Sequence, residues 1–96
     1  MSPNNKKKLA LVRLKLDKLD NQLLSLIKKR TILVNDVLKL KEFKNEIIDK
    51  KRINQILKKI RLKSKKLKID PKITNRIWKN IIWSYVNYEK KNFKKK

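Results

Sequence analysis

From Lys8 to Lys41, ending at Phe43, apolar residues return every three or four positions, and neither proline nor glycine interrupts them. That period predicts a single amphipathic helix of about 34 residues, roughly 50 Å long. Lys44, Asn45 and Glu46 break the pattern, and Asp49 stands where an N-cap belongs. Ile53, Ile56, Leu57 and Ile60 then predict a shorter helix ending near Ser64, followed by a basic connector from Lys65 to Ile69. Asp70-Pro71 pairs a capping carboxylate with proline at the first helical position, and Ile69 is available as a staple. The third helix carries Ile73, Ile77, Trp78, Ile81, Ile82, Tyr85, Val86 and Glu89 before a lysine tail, Lys90 to Lys96. No segment alternates with the period of a strand. The expected class is all-α: one domain over residues 1–96, with long, short and medium helices, and with residues 1–7 and 92–96 as disordered tails.

The first helix is longer than the two that remain to cover it, so a second copy of the chain is the simplest cover for its excess apolar surface. Steps of alternating three and four trace its stripe through Arg13, Leu16, Asp20, Leu23, Ile27, Arg30, Val34, Val37 and Lys41. Charges sit on the face that should be driest. A lone Arg30 could lay its methylenes on Ile27 and keep its head in water. Three cations on one stripe, Arg13, Arg30 and Lys41, point instead to an anion pocket in a helix bundle, because a buried guanidinium needs an anionic partner. Asp20 has no place in that pocket and reads as a structural partner for a neighbouring cation. On the third helix Trp78, Ile82, Tyr85 and Glu89 share a face, which puts a carboxyl at the end of an aromatic stripe.

Composition narrows the chemistry. With no cysteine and no histidine among 96 residues, thiol chemistry is excluded and a transition-metal site is not expected. No apolar run approaches the roughly 20 residues that span a bilayer, and MSPNNKKK lacks the apolar segment of a signal peptide, so a soluble, cytoplasmic protein is expected. The net charge of +22 fits a non-enzymatic, basic nucleic-acid-binding helical protein. Yet lysine far outnumbers arginine, isoleucine and asparagine abound, alanine occurs once and glycine never, the pattern of an A+T-rich genome. The lysines are also spread over all segments, where a dedicated binder clusters them with arginine and aromatics. No specific nucleic-acid partner is therefore expected.

Taken in order, these pieces resemble the all-helical chorismate mutases. The likeness runs from about Leu11 to Glu89: VRLKLDKLDNQLLSLIKKRTILVNDVLKLK, then DKKR, IDPKI and IIWSYVNYE. The resemblance implies an intertwined homodimer in which each site borrows Arg13 from the other subunit and takes Arg30, Lys41, Asp49, Arg52, Ile53, Tyr85 and Glu89 from its own. It implies chorismate, a dianion, as substrate, and its rearrangement to prephenate in phenylalanine and tyrosine synthesis, in the shikimate pathway, with no cofactor or metal. Arg13 and Arg30 would clamp carboxylates, while Lys41 and Glu89 would flank the ether oxygen. An ionised Glu89 would repel that oxygen, so as a donor it must hold its proton. Where family mutases usually carry Glu, Ser and Gln, this chain has Ile53, Tyr85 and Glu89. The aliphatic residue and the tyrosine are similar to the isochorismate pyruvate lyases of salicylate synthesis, which have the same fold and supply the alternative activity.

Overall fold

The computed structural model describes residues 1–94. The chain forms three α-helices, α1 (Pro3–Leu40), α2 (Lys50–Lys66) and α3 (Pro71–Asn92), with a 3₁₀ turn at Lys44–Glu46 between the first two, and no strand occurs among the described residues. The chain divides into two units, Met1–Leu33 and the residues from Val34 on.

The first unit is the N-terminal part of α1. It begins at Pro3, where the sequence pattern has only a frayed lead-in. Ser2 explains the early start: its Oγ accepts from the Asn5 amide at 3.1 Å and its carbonyl accepts from the Lys6 amide at 2.9 Å. Serine as cap and proline at the first helical position satisfy the helix start before any apolar residue appears. Within this unit Leu16 and Leu23 on the traced stripe, and Leu19 and Leu26 beside it, are each more than half exposed. The stripe expected to be driest is open here, because the unit is one helix with no second element of its own to lay over it.

The second unit has a core. Leu38 on the last turns of α1, Ile47 after the 3₁₀ turn, and Ile82 and Val86 on α3 are buried, and Ile48, Ile53, Ile56, Leu57 and Phe93 pack against them. Burying a side chain of this size contributes about 1.5–3 kcal/mol. The turn that brings Ile47 back is closed by Glu46, whose Oε2 accepts from the Glu42 amide at 3.0 Å. Asp49 caps α2 as the sequence predicts, its Oδ1 accepting from the Arg52 amide at 3.0 Å. Asp70 caps α3 through the Lys72 amide at 2.9 Å, with Pro71 in the first helical position. Each cap is worth about 1 kcal/mol.

Between α2 and α3 the chain turns on Lys68, at φ 58°. The Ile69 amide donates to the Ser64 carbonyl and the Lys68 amide to the Lys65 carbonyl, a left-handed helix terminus that glycine usually supplies. This chain has no glycine, so a lysine takes the strained position. Beneath the turn, Ser64 Oγ donates to the Ile60 carbonyl at 2.6 Å and lies 2.7 Å from the hydroxyl of buried Thr74. With the serine proton so used, the threonine donates, and α2 is pinned to α3 with both hydroxyls satisfied. Helix α3 runs on to Asn92 and Phe93 packs on the core, where the sequence reading has a dissolving tail. The end of that expected tail, Lys95 and Lys96, lies outside the described residues.

Candidate active site

An ion pair stands at the edge of the second unit's core. Lys41 follows the last turn of α1, and its Nζ donates to Glu89 Oε2 at 3.0 Å. Glu89 is only 7% exposed. Its burial follows from its register: it lies seven residues after Ile82 and three after Val86, both buried, so the face that packs on the core carries the carboxyl inward. A buried carboxylate without a cation is costly, and Lys41, emerging as α1 ends, supplies one. Glu89 is therefore not a solvated charge, although Lys90 and Lys91 follow it directly.

The other residues predicted for the site fall into distinct environments. Ile53, in the first turn of α2, is half-buried against the apolar core. Tyr85 is half-buried on α3, its ring edge-on to that of Tyr88 with centroids 6.3 Å apart and planes at 88°. Asp49 and Arg52 are exposed at the start of α2, and one oxygen of Asp49 is engaged by the Arg52 backbone amide. Within the first unit, Arg30 is half-buried, and Arg13 is exposed beside a shallow depression lined also by Leu9, Ala10 and Leu14.

Two residues that sequence reasoning missed join the second unit's framework. Tyr88 Oη donates to Asn35 Oδ1 at 2.8 Å, linking α3 to the last turns of α1 over 53 positions of sequence. The only signal for Tyr88 was its place three residues after Tyr85. Asn35, next to Val34 on a helix rich in polar residues, carried none.

Chemically, this unit offers an ammonium and a buried carboxyl at hydrogen-bond distance. The described residues contain no cluster of three or more metal-ligating side chains, and none of their helices is long and apolar enough to cross a membrane. An ammonium fixed in this way can stabilise negative charge that grows on a bound oxygen. No curated protein and no solved structure matches the chain. A family model does match, that of chorismate mutase type II, over residues 12–90, a span that includes every predicted site residue from Arg13 to Glu89. Its all-helical build, with long, short and medium helices in the predicted order, agrees with that match: the chain belongs to the chorismate mutase type II family.

Proposed function

We propose that the protein converts chorismate to prephenate, and that it does so as a homodimer without a cofactor. The observation that carries the reading is the pairing of half-buried Lys41 with buried Glu89, 3.0 Å between Nζ and Oε2, inside a chain of this family. The reaction is an isomerisation in which the ether carbon–oxygen bond breaks as a carbon–carbon bond forms, with no atom gained or lost. Negative charge grows on the ether oxygen as that bond lengthens. An ammonium already in place there stabilises the charge with no reorganisation at the moment of reaction. Lys41 fills this role, and Glu89, whose Oε2 holds the ammonium in place, flanks the same oxygen.

Arg30, and Arg13 of the partner subunit, grip the two carboxylates, for which the planar guanidinium fork is suited. Arg52 and Asp49 serve the substrate from the start of α2, while Ile53 and Tyr85 shape its ring pocket. Holding the compact conformer replaces an improbable arrangement in solution by a bound one, the second source of rate. The dimer is supported by the open apolar stripe of the first unit, where Leu16, Leu19, Leu23 and Leu26 would otherwise stay in water.

Ile53 favours a second reading. Packed against an apolar core, it offers no acceptor to a ring hydroxyl, as in the isochorismate pyruvate lyases that this chain resembles at positions 53 and 85. One assay separates the two. Purified protein is offered chorismate and isochorismate in separate reactions, and prephenate is followed in both alongside pyruvate and salicylate. Prephenate from chorismate is the expected result. Pyruvate with salicylate from isochorismate alone would move the assignment to the lyase, and no product from either would end both readings.

A further inference from the structure

Two side-chain bonds tie the same two segments. Lys41 meets Glu89, and six residues before Lys41 on one side, one residue before Glu89 on the other, Asn35 meets Tyr88. Otherwise these segments face each other through apolar side chains: Leu38 shares the core with Ile82 and Val86. Apolar packing is non-directional and tolerates small rotations and slips of a helix along its neighbour. A hydrogen bond of 2.8 Å between half-buried side chains does not, because it fails once its atoms separate by much less than the 1.5 Å rise of one helical residue.

We propose that Tyr88 and Asn35 form a clamp that positions the Lys41–Glu89 pair; neither belongs to the set assigned to the substrate. The clamp fixes the register of α3 against the end of α1, and Glu89, the next residue after Tyr88, inherits that register. The Tyr88 ring, held by its hydroxyl, also meets Tyr85 edge-on at 6.3 Å, so the same bond orients the aromatic residue expected to touch substrate. Tyr88 and Asn35 are thus positioning residues, acting through Lys41, Glu89 and Tyr85. The kinetic side of the inference rests on the chorismate reading; the clamp itself does not.

The test is Tyr88→Phe, which keeps the ring and its burial and removes only the hydroxyl. Two readouts are taken on the full chain: kcat and KM for chorismate, and the exchange rate of the Lys41 Nζ protons followed by ¹⁵N NMR without substrate. The clamp predicts that kcat falls about tenfold with KM changed by less than about twofold, since misplacement of charge affects the transition state more than binding. It also predicts that Lys41 Nζ exchange accelerates about tenfold as the ion pair loosens. Asn35→Leu should reproduce both effects, Asn35→Asp should restore both by keeping an acceptor, and the double variant should be no worse than either single one. Unchanged Lys41 exchange overturns the clamp whatever happens to kcat, and faster exchange with unchanged kcat in an active enzyme overturns its catalytic relevance. If the native protein turns over no chorismate, faster exchange still upholds the clamp while the functional reading falls, which keeps the two failures apart.

Discussion

Residues 1–33 and the residues from Val34 on carry apolar side chains at the same helical period, yet Leu23 in the first unit is 55% exposed and Leu38 in the second 8%. The difference lies in whether another element of the same unit returns over the stripe. After Leu40 the chain turns on Glu46 and comes back, so that Ile47 after the turn and Ile82 and Val86 on α3 share a core with Leu38. The first unit has only its own helix. Periodicity therefore states which face of a helix is apolar, and a further element, from the same chain or another, decides whether that face is buried. The same contrast applies to charge: Lys41, in the covered unit, has found a buried carboxyl, while Arg13, in the open one, is exposed.

The sharpest way to break this comparison is through Arg30, half-buried at the end of the open unit. Arg30→Ala should lower kcat/KM for chorismate by about 10³, the loss typical of removing a charged donor from a preorganised site. Far-UV circular dichroism should stay helical, because α1 holds no proline or glycine after Pro3 and loses only one side chain. A basic nucleic-acid-binding protein behaves otherwise, with no privileged arginine and a steep dependence on salt. Turnover within tenfold of native would remove Arg30 from the site.

Next in size is the loss of the cover itself. Leu23→Asp puts a charge on the stripe that a second copy would bury, and a buried charge without a partner is not tolerated. Sedimentation should show a dimer for the native chain and a monomer for the variant, with activity falling about 100-fold as Arg13 is lost across the interface and recovering in part at high protein concentration. A native chain that sediments as a monomer would mean the open stripe has another cover.

Smaller again is the effect of Glu89→Gln. The amide keeps the size of the carboxyl and donates a hydrogen bond without a charge that repels the ether oxygen, so kcat for chorismate should rise about threefold. A kcat lowered about tenfold or more would leave Glu89 as a counter-ion for Lys41 alone.

The comparison also marks what could be read from residues alone. The three helices, the caps at Asp49 and Asp70 and the placement of Pro71 were legible, since each rests on local chemistry within a few positions. The start at Pro3 is local too, but its signal lies in Ser2 and Pro3, ahead of the first apolar residue of the pattern. The carboxyl of Glu89 was legible as a member of a stripe, while its pairing with Lys41, 48 residues away, needed the fold. The bond between Tyr88 and Asn35 had no trace at all, because polar contacts over long separations depend on helix register, and period alone leaves that register free by a residue or more. Lys68 is a different case: a sequence without glycine gives no punctuation where a left-handed residue is needed.

That lysine supplies the smallest effect and the cleanest control. At φ 58° a residue with a Cβ costs about 1–2 kcal/mol, and glycine removes the clash. Against that gain stands the larger entropy glycine loses on folding, about 0.5–1 kcal/mol. Lys68→Gly should therefore stabilise the protein by about 0.5 kcal/mol, a rise in Tm of a few degrees in a domain of this size. Because the turn belongs to the covered unit and lies in sequence far from Lys41 and Glu89, kcat and KM should not move. Melting curves taken at one protein concentration, so that any association is held constant, read the effect directly. A lower Tm would mean that the Lys68 side chain does more for the basic turn than its backbone costs.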